Sequence, residues 1–194
     1  MKFDRFLSSY KADSESALSS VHPAFLYGVR GARELYVDFD GSSFNSGVYR
    51  LLAIESIDHW TKVVTEAFPS YRGKITCFGR DWLGRFFALD ATRRVAHEPA
   101  VSIFEPGTGE VLEAPVGFAE FHNEEMVEFP DAAVANDAFE KWAALNPVSH
   151  LSDSECVGYK VPLFLGGNDD FANMEVVDIE VYWGLCSQLL SSIR

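Results

Sequence analysis

Residues 158–183 read GYKVPLFLGGNDDFANMEVVDIEVYW: an apolar run that ends in two glycines, an acidic turn, and a segment rich in Val, Ile and aromatic residues. Such a stretch can form either a ligand-binding loop or a structural corner. Its two glycines lack the GxxxxGK[ST] context of a phosphate-binding loop. Asp169 and Asp170 follow them closely and would repel a phosphate group. The stretch therefore predicts a structural corner rather than a nucleotide site.

Each part of this corner has an expected role. The apolar run VPLFL predicts a buried strand, and Pro162 marks the start of that strand or a sheet edge. Gly166 and Gly167 permit a positive φ in the turn. Asn173 is expected to hydrogen-bond to nearby backbone, and Asp178 to cap the last helix.

Outside the corner, strands come first along the chain and helices later. Aromatic and β-branched runs predict strands at 34–39, 48–54, 74–79, 85–90 and 100–106, and another after the turn at 107–109. Helical spacing predicts helices at 3–10, 57–68, 117–128, 131–145 and 180–193. This order is typical of an α+β fold. We predict one domain over residues 1–194, with a central, mainly antiparallel sheet of about five to six strands and helices packed on it.

The ends of the helices also have sequence signals. Ser56 is the expected N-cap of the helix at 57–68, Pro69 its stop, and Trp60 its anchor in the core. Pro130 is expected to end the helix at 117–128, and Asp131 to cap the next one.

The charge of the chain is −13 and is unevenly distributed. Residues 1–97 hold thirteen Lys and Arg against eleven Asp and Glu, a net charge of +2, whereas residues 98–194 hold three against eighteen, a net charge of −15. An acidic half of this size repels nucleic acid and anionic membranes and attracts basic partners. The alternative is an acidic surface that serves solubility alone.

The chain has no apolar run of membrane-spanning length and no leader-like N-terminal segment. Its cysteines, Cys77, Cys156 and Cys186, are odd in number and widely spaced, which indicates reduced thiols. A cytoplasmic protein is the simplest interpretation.

No motif for catalysis is present: there is neither GxSxG nor HExxH. The best metal candidate is His122 with Glu124, Glu125 and Glu128, but its ligand order and missing partners favour a solvated acidic helix face. We therefore expect no catalytic residues, no metal and no cofactor.

The corner resembles the C-terminal signature of a bacterial immunity-protein family that protects cells against DNase effectors delivered by type VI secretion, similar in style to the SUKH superfamily. The residues that carry the resemblance are Glu155, Cys156, Gly158, Pro162, Gly166, Gly167, Asn173, Met174 and Gln188. Upstream, GVYRLL, ITCFGRDWLGRFFALD and EPGTGEVLE extend it over residues 44–194. Residues 1–43 depart from the family pattern.

This resemblance implies a SUKH-like fold and a non-enzymatic cytosolic antitoxin, a monomer or weak dimer that binds a cognate toxin, a basic nuclease. The expected contact residues are acidic: Glu120, Glu124, Glu125, Glu128 and Asp131 first, then Asp169 and Asp170. An alternative remains open, namely a small-ligand or regulatory domain with a pocket between sheet and helices lined by Trp82, Phe86 and Trp142. An enzyme is the third hypothesis.

Overall fold

The structure, a computed structural model, describes residues 3–14, 28–146 and 150–193. Within these residues, six antiparallel strands form a sheet in which the order in space follows the order in sequence. The strands are β1 (Ser43–Phe44), β2 (Tyr49–Leu51), β3 (Ile75–Asp81), β4 (Phe86–Val95), β5 (Glu98–Glu105) and β6 (Glu110–Ala114). This sheet confirms the α+β prediction and both predicted hairpins, β3–β4 and β5–β6.

The middle of this sheet is covered on both faces. Phe86 and Phe87 are consecutive in β4, so their side chains point to opposite faces, and neither has exposed surface. Across the strand pair, Phe86 faces Phe104 and Phe87 faces Ile103. A strand buried on both sides reads as a continuous apolar run, which is why RFFALD lacks strict alternation.

Helices pack against the sheet and against one another. They are α1 (Asp4–Ser9), α2 (Ala32–Phe39), α3 (Ile57–Ala67), α4 (Phe118–Glu120), α5 (Met126–Glu128), α6 (Pro130–Val134), α7 (Asn136–Leu145) and α8 (Ile179–Ile193). A π-helical turn, Phe121–Glu125, joins α4 to α5 into one segment, which confirms the helix predicted at 117–128. In the part of the chain that the structure describes, no helix has the length and apolarity needed to cross a membrane.

A second, two-stranded sheet carries the last helix. β7 (Glu155–Tyr159) pairs antiparallel with β8 (Met174–Asp178), and β8 runs directly into α8. Asp178 Oδ1 accepts the backbone N–H groups of Glu180 and Val181, both at 3.0 Å, which confirms the predicted N-cap. The Nε1 of Trp183 in α8 donates to the backbone oxygen of Gly84 at 2.8 Å, so α8 is fixed to the β3–β4 turn.

The strand predicted at 34–39 is wrong, because these residues belong to α2. Their burial follows the helical period: Ala32, Leu35 and Tyr36 are buried, while Val37 is exposed. Aromatic and β-branched residues favour a strand locally, but burial of one helical face outweighs that preference. Gly31 precedes α2 with φ of +79°, a conformation that favours glycine.

The run VPLFL is also not a buried strand. The strand before it ends at Tyr159, and Leu163–Leu165 form a 3₁₀ turn whose last residue is 44% exposed. The N–H of Leu163 donates to the oxygen of Gly107 at 2.9 Å, so this segment docks on the β5–β6 turn instead of extending a sheet. Pro162 is buried but lies outside any strand.

The two glycines of the corner serve different purposes. Gly166 has φ of +86° and ends the 3₁₀ turn, as predicted. Gly167 lies outside the left-handed region, but a Cβ there would be 1.9 Å from the backbone oxygen of Val161. Asn173 closes the same turn as predicted: its Nδ2 donates to that oxygen at 2.8 Å, and its Oδ1 accepts the Val161 N–H at 3.0 Å.

The predicted helix at 57–68 is confirmed, but its start differs. Ser56 precedes α3, yet its hydroxyl donates back to Ala53 O at 2.8 Å and does not cap the helix. Trp60 is half-buried and packs on Phe86, with ring centroids 4.9 Å apart, so it lies at the periphery of the core.

The N-cap predicted at Asp131 lies two residues earlier in the structure. Pro130 is the first residue of α6, where its fixed φ suits a helix start, and Phe129 occupies the N-cap position. Ala135, with φ of +51°, divides the predicted 131–145 helix into α6 and α7. Asp131 Oδ1 accepts the N–H of Asp137 at 2.8 Å, so this carboxylate bridges the break instead of capping a helix start.

Candidate functional site

The helical segment from residue 118 to residue 134 forms an acidic surface. No Lys or Arg occurs between Arg94 and Lys141 in the sequence. We call the following residues the acidic helix surface: Glu120, Glu124, Glu125, Glu128 and Asp131. Glu124, Glu128 and Asp131 are exposed, and the other two carboxylates are partly buried. All five lie on successive helical turns between residues 118 and 134.

His122 holds this segment to the core from the opposite side. Its side chain has no exposed surface, its Nδ1 lies 2.8 Å from Phe118 O, and its Nε2 lies 2.7 Å from the Tyr49 hydroxyl. Since a carbonyl can only accept, Nδ1 carries the proton and Nε2 accepts from Tyr49. Burial lowers the pKa of His122 to about 4. The interpretation of His122 as part of a solvated face is wrong, and both ring nitrogens are occupied within the protein.

The N-terminal helix α1 packs on this same segment. Phe6 lies edge-on to the ring of His122, with centroids 5.3 Å apart, and its N–H donates to Asn123 Oδ1 at 3.3 Å. The hydroxyl of Tyr10 donates to Met126 O at 2.9 Å. Residues from outside the family-like region therefore support the acidic helix surface, and no sequence pattern indicates this contact.

Two of the five carboxylates are paired with arginines. Arg5 of α1 contacts Glu128 at 2.8 Å, and Arg30 contacts Glu120. Among the described residues, Glu124 and Glu125 have no ion-pair partner. Asp131 in α6 has no ion-pair partner among them either, so two of the three unpaired carboxylates lie on the π-helical turn.

An exposed aromatic residue lies within the acidic sequence. Phe129, between α5 and α6, is 56% exposed; it directly follows Glu128 and lies two residues before Asp131. Aromatic residues, including Phe, are enriched in protein–protein interfaces relative to the rest of the protein surface. The sequence shows Phe129 at helical spacing with buried residues, which is why its exposure could not be read from the pattern.

Asp169 and Asp170, the second pair of predicted contact residues, have local structural roles. The hydroxyl of Tyr159 donates to Asp169 at 2.7 Å. Asp170 Oδ1 accepts the N–H of Asn173 at 3.0 Å and caps the 3₁₀ turn Phe171–Asn173. Both residues remain exposed.

Gly158 is required by close packing. A Cβ at this position would lie 2.8 Å from Val177 and 2.9 Å from the ring of Tyr182. The hydroxyl of Tyr182 accepts the N–H of Tyr159 at 3.2 Å, which ties β7 to α8. Gly158 is therefore a structural residue of the β7–β8 sheet.

The pocket predicted between Trp82, Phe86 and Trp142 is absent among the described residues. The Trp82 and Trp142 rings pack together with centroids 5.9 Å apart, both buried, and Trp82 Nε1 donates to Val134 O at 3.0 Å. Phe86 lies in the other hydrophobic cluster, against Trp60 and Trp183. The three rings are packing residues rather than the walls of a ligand site.

A buried ionic cluster, not anticipated from sequence, joins α6 to the sheet. Arg85 contacts Asp81 at 2.5 Å and Glu105 at 3.0 Å, and donates to Ala133 O at 3.2 Å. Burial raises the pKa of Asp81 to about 6, although Arg85 acts in the opposite direction. The charged residues of this cluster are hydrogen-bonded to one another and to the backbone, which is typical of a structural cluster.

The thiols are unsuited to nucleophilic chemistry. Cys77, Cys156 and Cys186 are free and buried. Burial raises the pKa of Cys77 and of Cys156 to about 12, and that of Cys186 to about 11. A buried thiol that stays protonated at neutral pH is a packing residue.

The fold class is shared with a solved protein. The structure matches the crystal structure of Atu4351 from Agrobacterium tumefaciens with a TM-score of 0.64 at 13% sequence identity, over 96% of this chain and 89% of that one. At this level of identity the similarity establishes the fold. No curated protein matches the sequence.

The C-terminal part of the chain matches a family model. Residues 120–190 match the family model "T6SS immunity protein Tdi1, C-terminal". Over these residues the chain is similar to this family of type VI secretion immunity proteins. The match begins at the acidic helix surface and runs through β7 and β8 to α8, which confirms the resemblance at the corner. It supports an immunity role; the resemblance over residues 44–119 remains a prediction.

Proposed function

We propose that this chain is a non-enzymatic, cytosolic immunity protein that binds and neutralises a cognate secreted effector, a nuclease, through the acidic helix surface. The observation that carries the proposal is the coincidence of two features. The family match begins at residue 120, and it includes the exposed or partly buried carboxylates at 124 and 125 that have no ion-pair partner among the described residues.

Charge supports a basic partner. The half of the chain that contains the acidic helix surface has a net charge of −15. A nuclease that binds nucleic acid presents a basic cleft, and complementary potentials raise the rate of encounter between two proteins. Glu124 and Glu125, which have no ion-pair partner among the described residues, are the groups best placed to exchange their hydration for contacts with Lys or Arg.

An apolar anchor supports a protein partner. Phe129 offers a large ring next to these charges, and the most effective interface residues are aromatic side chains surrounded by polar ones. Asp169 and Asp170 form a second, smaller contact region in this proposal, because both are exposed on the corner. One domain acting as a monomer or weak dimer suffices for this mode of binding.

Co-expression with the product of the neighbouring gene tests the proposal, with that product taken as the effector. We expect the wild-type protein to restore growth of cells that produce the effector and to co-purify with it. The double variant Glu124→Gln/Glu125→Gln should protect less well, whereas the control variant Glu110→Gln/Glu175→Gln, which removes two exposed carboxylates elsewhere, should protect fully.

The proposal fails if the acidic variant protects as fully as the control and binds the effector equally well. It also fails if the purified chain cleaves nucleic acid or another substrate by itself. If the neutralised effector has no nuclease activity, the immunity role still holds but the assignment of a nuclease as the partner is wrong.

A further inference from the structure

A pair of buried arginines lies on the main sheet, away from the acidic helix surface. Arg50 in β2 and Arg80 in β3 are direct cross-strand partners, so their side chains extend from the same face of the sheet. They are only 7% and 3% exposed. Two neighbouring buried cations repel each other unless negative groups compensate them.

The compensation within the described residues is incomplete. Arg50 donates to Leu151 O at 3.1 Å and contacts the carboxylate of Asp153. Arg80 donates to Glu155 O at 2.9 Å and to Asp153 O at 2.7 Å. The one carboxylate that pairs with either arginine, Asp153, has a side chain that is 88% exposed. These contacts use two of the roughly five N–H donors of each guanidinium.

The electrostatics agree with this geometry. Burial, followed by repulsion from the neighbouring Arg50, lowers the pKa of Arg80 to about 10. Burial likewise lowers the pKa of Arg50, while Asp153 and then Asp13 act in the opposite direction. For both arginines, the cost of burying the charge outweighs the attraction of the neighbouring carboxylates.

Arg50 lines a groove large enough for a small molecule. The groove has a volume of about 400 Å³ and lies between β1–β2 and the segment 150–155; Asp13, Ser43, Arg50, His150 and Asp153 contribute to its wall. A second cavity of about 180 Å³, lined by Arg50, Arg80 and Asp153, adjoins it. Pockets for small ligands have volumes from roughly 300 Å³ upward.

A buried hydroxyl in the groove lacks a partner. Ser43 is 5% exposed, and its Oγ has no hydrogen-bond partner among the described residues. Buried polar groups are nearly always hydrogen-bonded, so an unpaired one on the wall of a groove points to a ligand or water. Asp13, by contrast, is held by the backbone: it accepts the N–H groups of Ser46 at 2.6 Å and Gly47 at 3.1 Å.

We propose that this groove is a binding site for a small oxyanion, the carboxylate or phosphate group of a small molecule. Arg50 and the Ser43 hydroxyl contact the anion, and Arg80 adds positive charge and positions the segment 153–155. The exposed carboxylate of Asp153 forms an ion pair with the guanidinium of Arg50 in the free protein, and the ligand displaces it. The net charge of −13 opposes polyanions, so the site selects ligands with one or two negative charges.

Calorimetric titration of the full chain with sodium phosphate, and separately with sodium acetate, tests this site at constant ionic strength set with NaCl. We expect saturable binding at one site. Ser43→Ala should weaken binding about 3-fold to 10-fold, and Arg50→Lys, which keeps the charge but loses the planar fork, at least 10-fold. Lys62→Gln, which removes an exposed cation on α3, should bind as the wild type does.

Asp153→Asn distinguishes a binding site from a merely structural arginine pair. Because it removes the competing carboxylate, it should strengthen anion binding several-fold. Binding of phosphate alone would indicate a phosphate ester as the natural ligand, and binding of acetate alone a carboxylate. The proposal is overturned if neither anion binds saturably, or if Ser43→Ala, Arg50→Lys and Asp153→Asn all bind as the wild type does.

Discussion

The Nε2 atom of His122 lies 2.7 Å from the hydroxyl oxygen of Tyr49 in the middle of the core, only two residues before the exposed Glu124. One π-helical turn therefore presents a neutral imidazole to the aromatic core and a carboxylate to solvent. The hydrogen bond joins β2 to the segment that carries the acidic helix surface. The position of the acidic helix surface therefore depends on His122, and protonation of this imidazole would disrupt its packing in the core.

The first prediction concerns stability and pH. The pKa of His122 is about 4 in the folded chain, below its ordinary value of about 6.5. The unfolded chain thus binds a proton more readily, so stability is complete above about pH 6.5 and falls as the pH drops toward 4. The shift corresponds to a loss of about 3 kcal/mol in the free energy of unfolding. Urea denaturation at a series of pH values measures it.

The control for this prediction is His122→Gln, which keeps hydrogen-bonding capacity but does not titrate. It should be less stable than the wild type at pH 7 and should show a smaller decrease in stability between pH 6.5 and 4.5. Equal pH dependence in both proteins would mean that other groups, such as the carboxylates, account for the acid sensitivity.

Much of the fold could be predicted from sequence, because hairpins and long amphipathic helices carry strong local signals. The β3–β4 hairpin and α8 are examples, and the Asp178 cap follows from its position alone. Short elements could not be predicted. The local composition of the segment 34–39 and of the run VPLFL suggests a strand in both cases. Their actual structure, a helix and a 3₁₀ turn, is decided by the tertiary contacts of their side chains.

The second prediction concerns association with the effector. Glu124→Gln/Glu125→Gln removes two carboxylates that have no ion-pair partner among the described residues, and should lower the association rate constant about 3-fold to 10-fold at low salt. The variant should also depend less on salt, since screening acts on the charges that it lacks. Stopped-flow measurements at several NaCl concentrations provide both quantities. An unchanged rate constant would exclude this surface from the encounter.

The third prediction uses an opposite change on the same surface. Arg5→Gln removes the cation that pairs with Glu128 and leaves the surface more negative. Both partners are about half exposed, so the free energy of unfolding should change by less than about 1 kcal/mol. Association with a basic effector should become faster, not slower. A slower rate would indicate that Arg5 itself contacts the effector or that α1 has shifted.

The fourth prediction concerns Phe129 and distinguishes its effect on dissociation from the effect of charge on association. Phe129→Ala removes an exposed ring, so it should raise the dissociation rate constant of the complex and weaken affinity by at least about 1 kcal/mol. Leu145→Ala, at a residue that is 70% exposed on α7, is the matched control for a lost exposed apolar side chain. Equal effects of the two substitutions, or none, would show that Phe129 lies outside the interface.

The candidate site was predictable only in part. The sequence directly shows the acidic residues and the difference in net charge between the two halves of the chain. Which carboxylates are free depends on Arg5 and Arg30, which are more than 85 residues away and reach them through the packing of α1 and the segment before α2. The Arg50–Arg80 pair likewise arises from cross-strand register, which sequence spacing alone does not give.

The final prediction compares the two adjacent glycines of the corner. Gly166 has φ of +86° and open space around its Cα, so Gly166→Ala should cost only the strain of a left-handed residue, roughly 1–2 kcal/mol. A Cβ at Gly167 would lie 1.9 Å from the oxygen of Val161, a backbone atom held by Asn173, so Gly167→Ala should cost more than about 3 kcal/mol. Thermal unfolding of both variants measures the difference. A smaller loss for Gly167→Ala than for Gly166→Ala would show that the corner relaxes easily, and loss of effector binding without loss of stability would show that the corner contacts the partner directly.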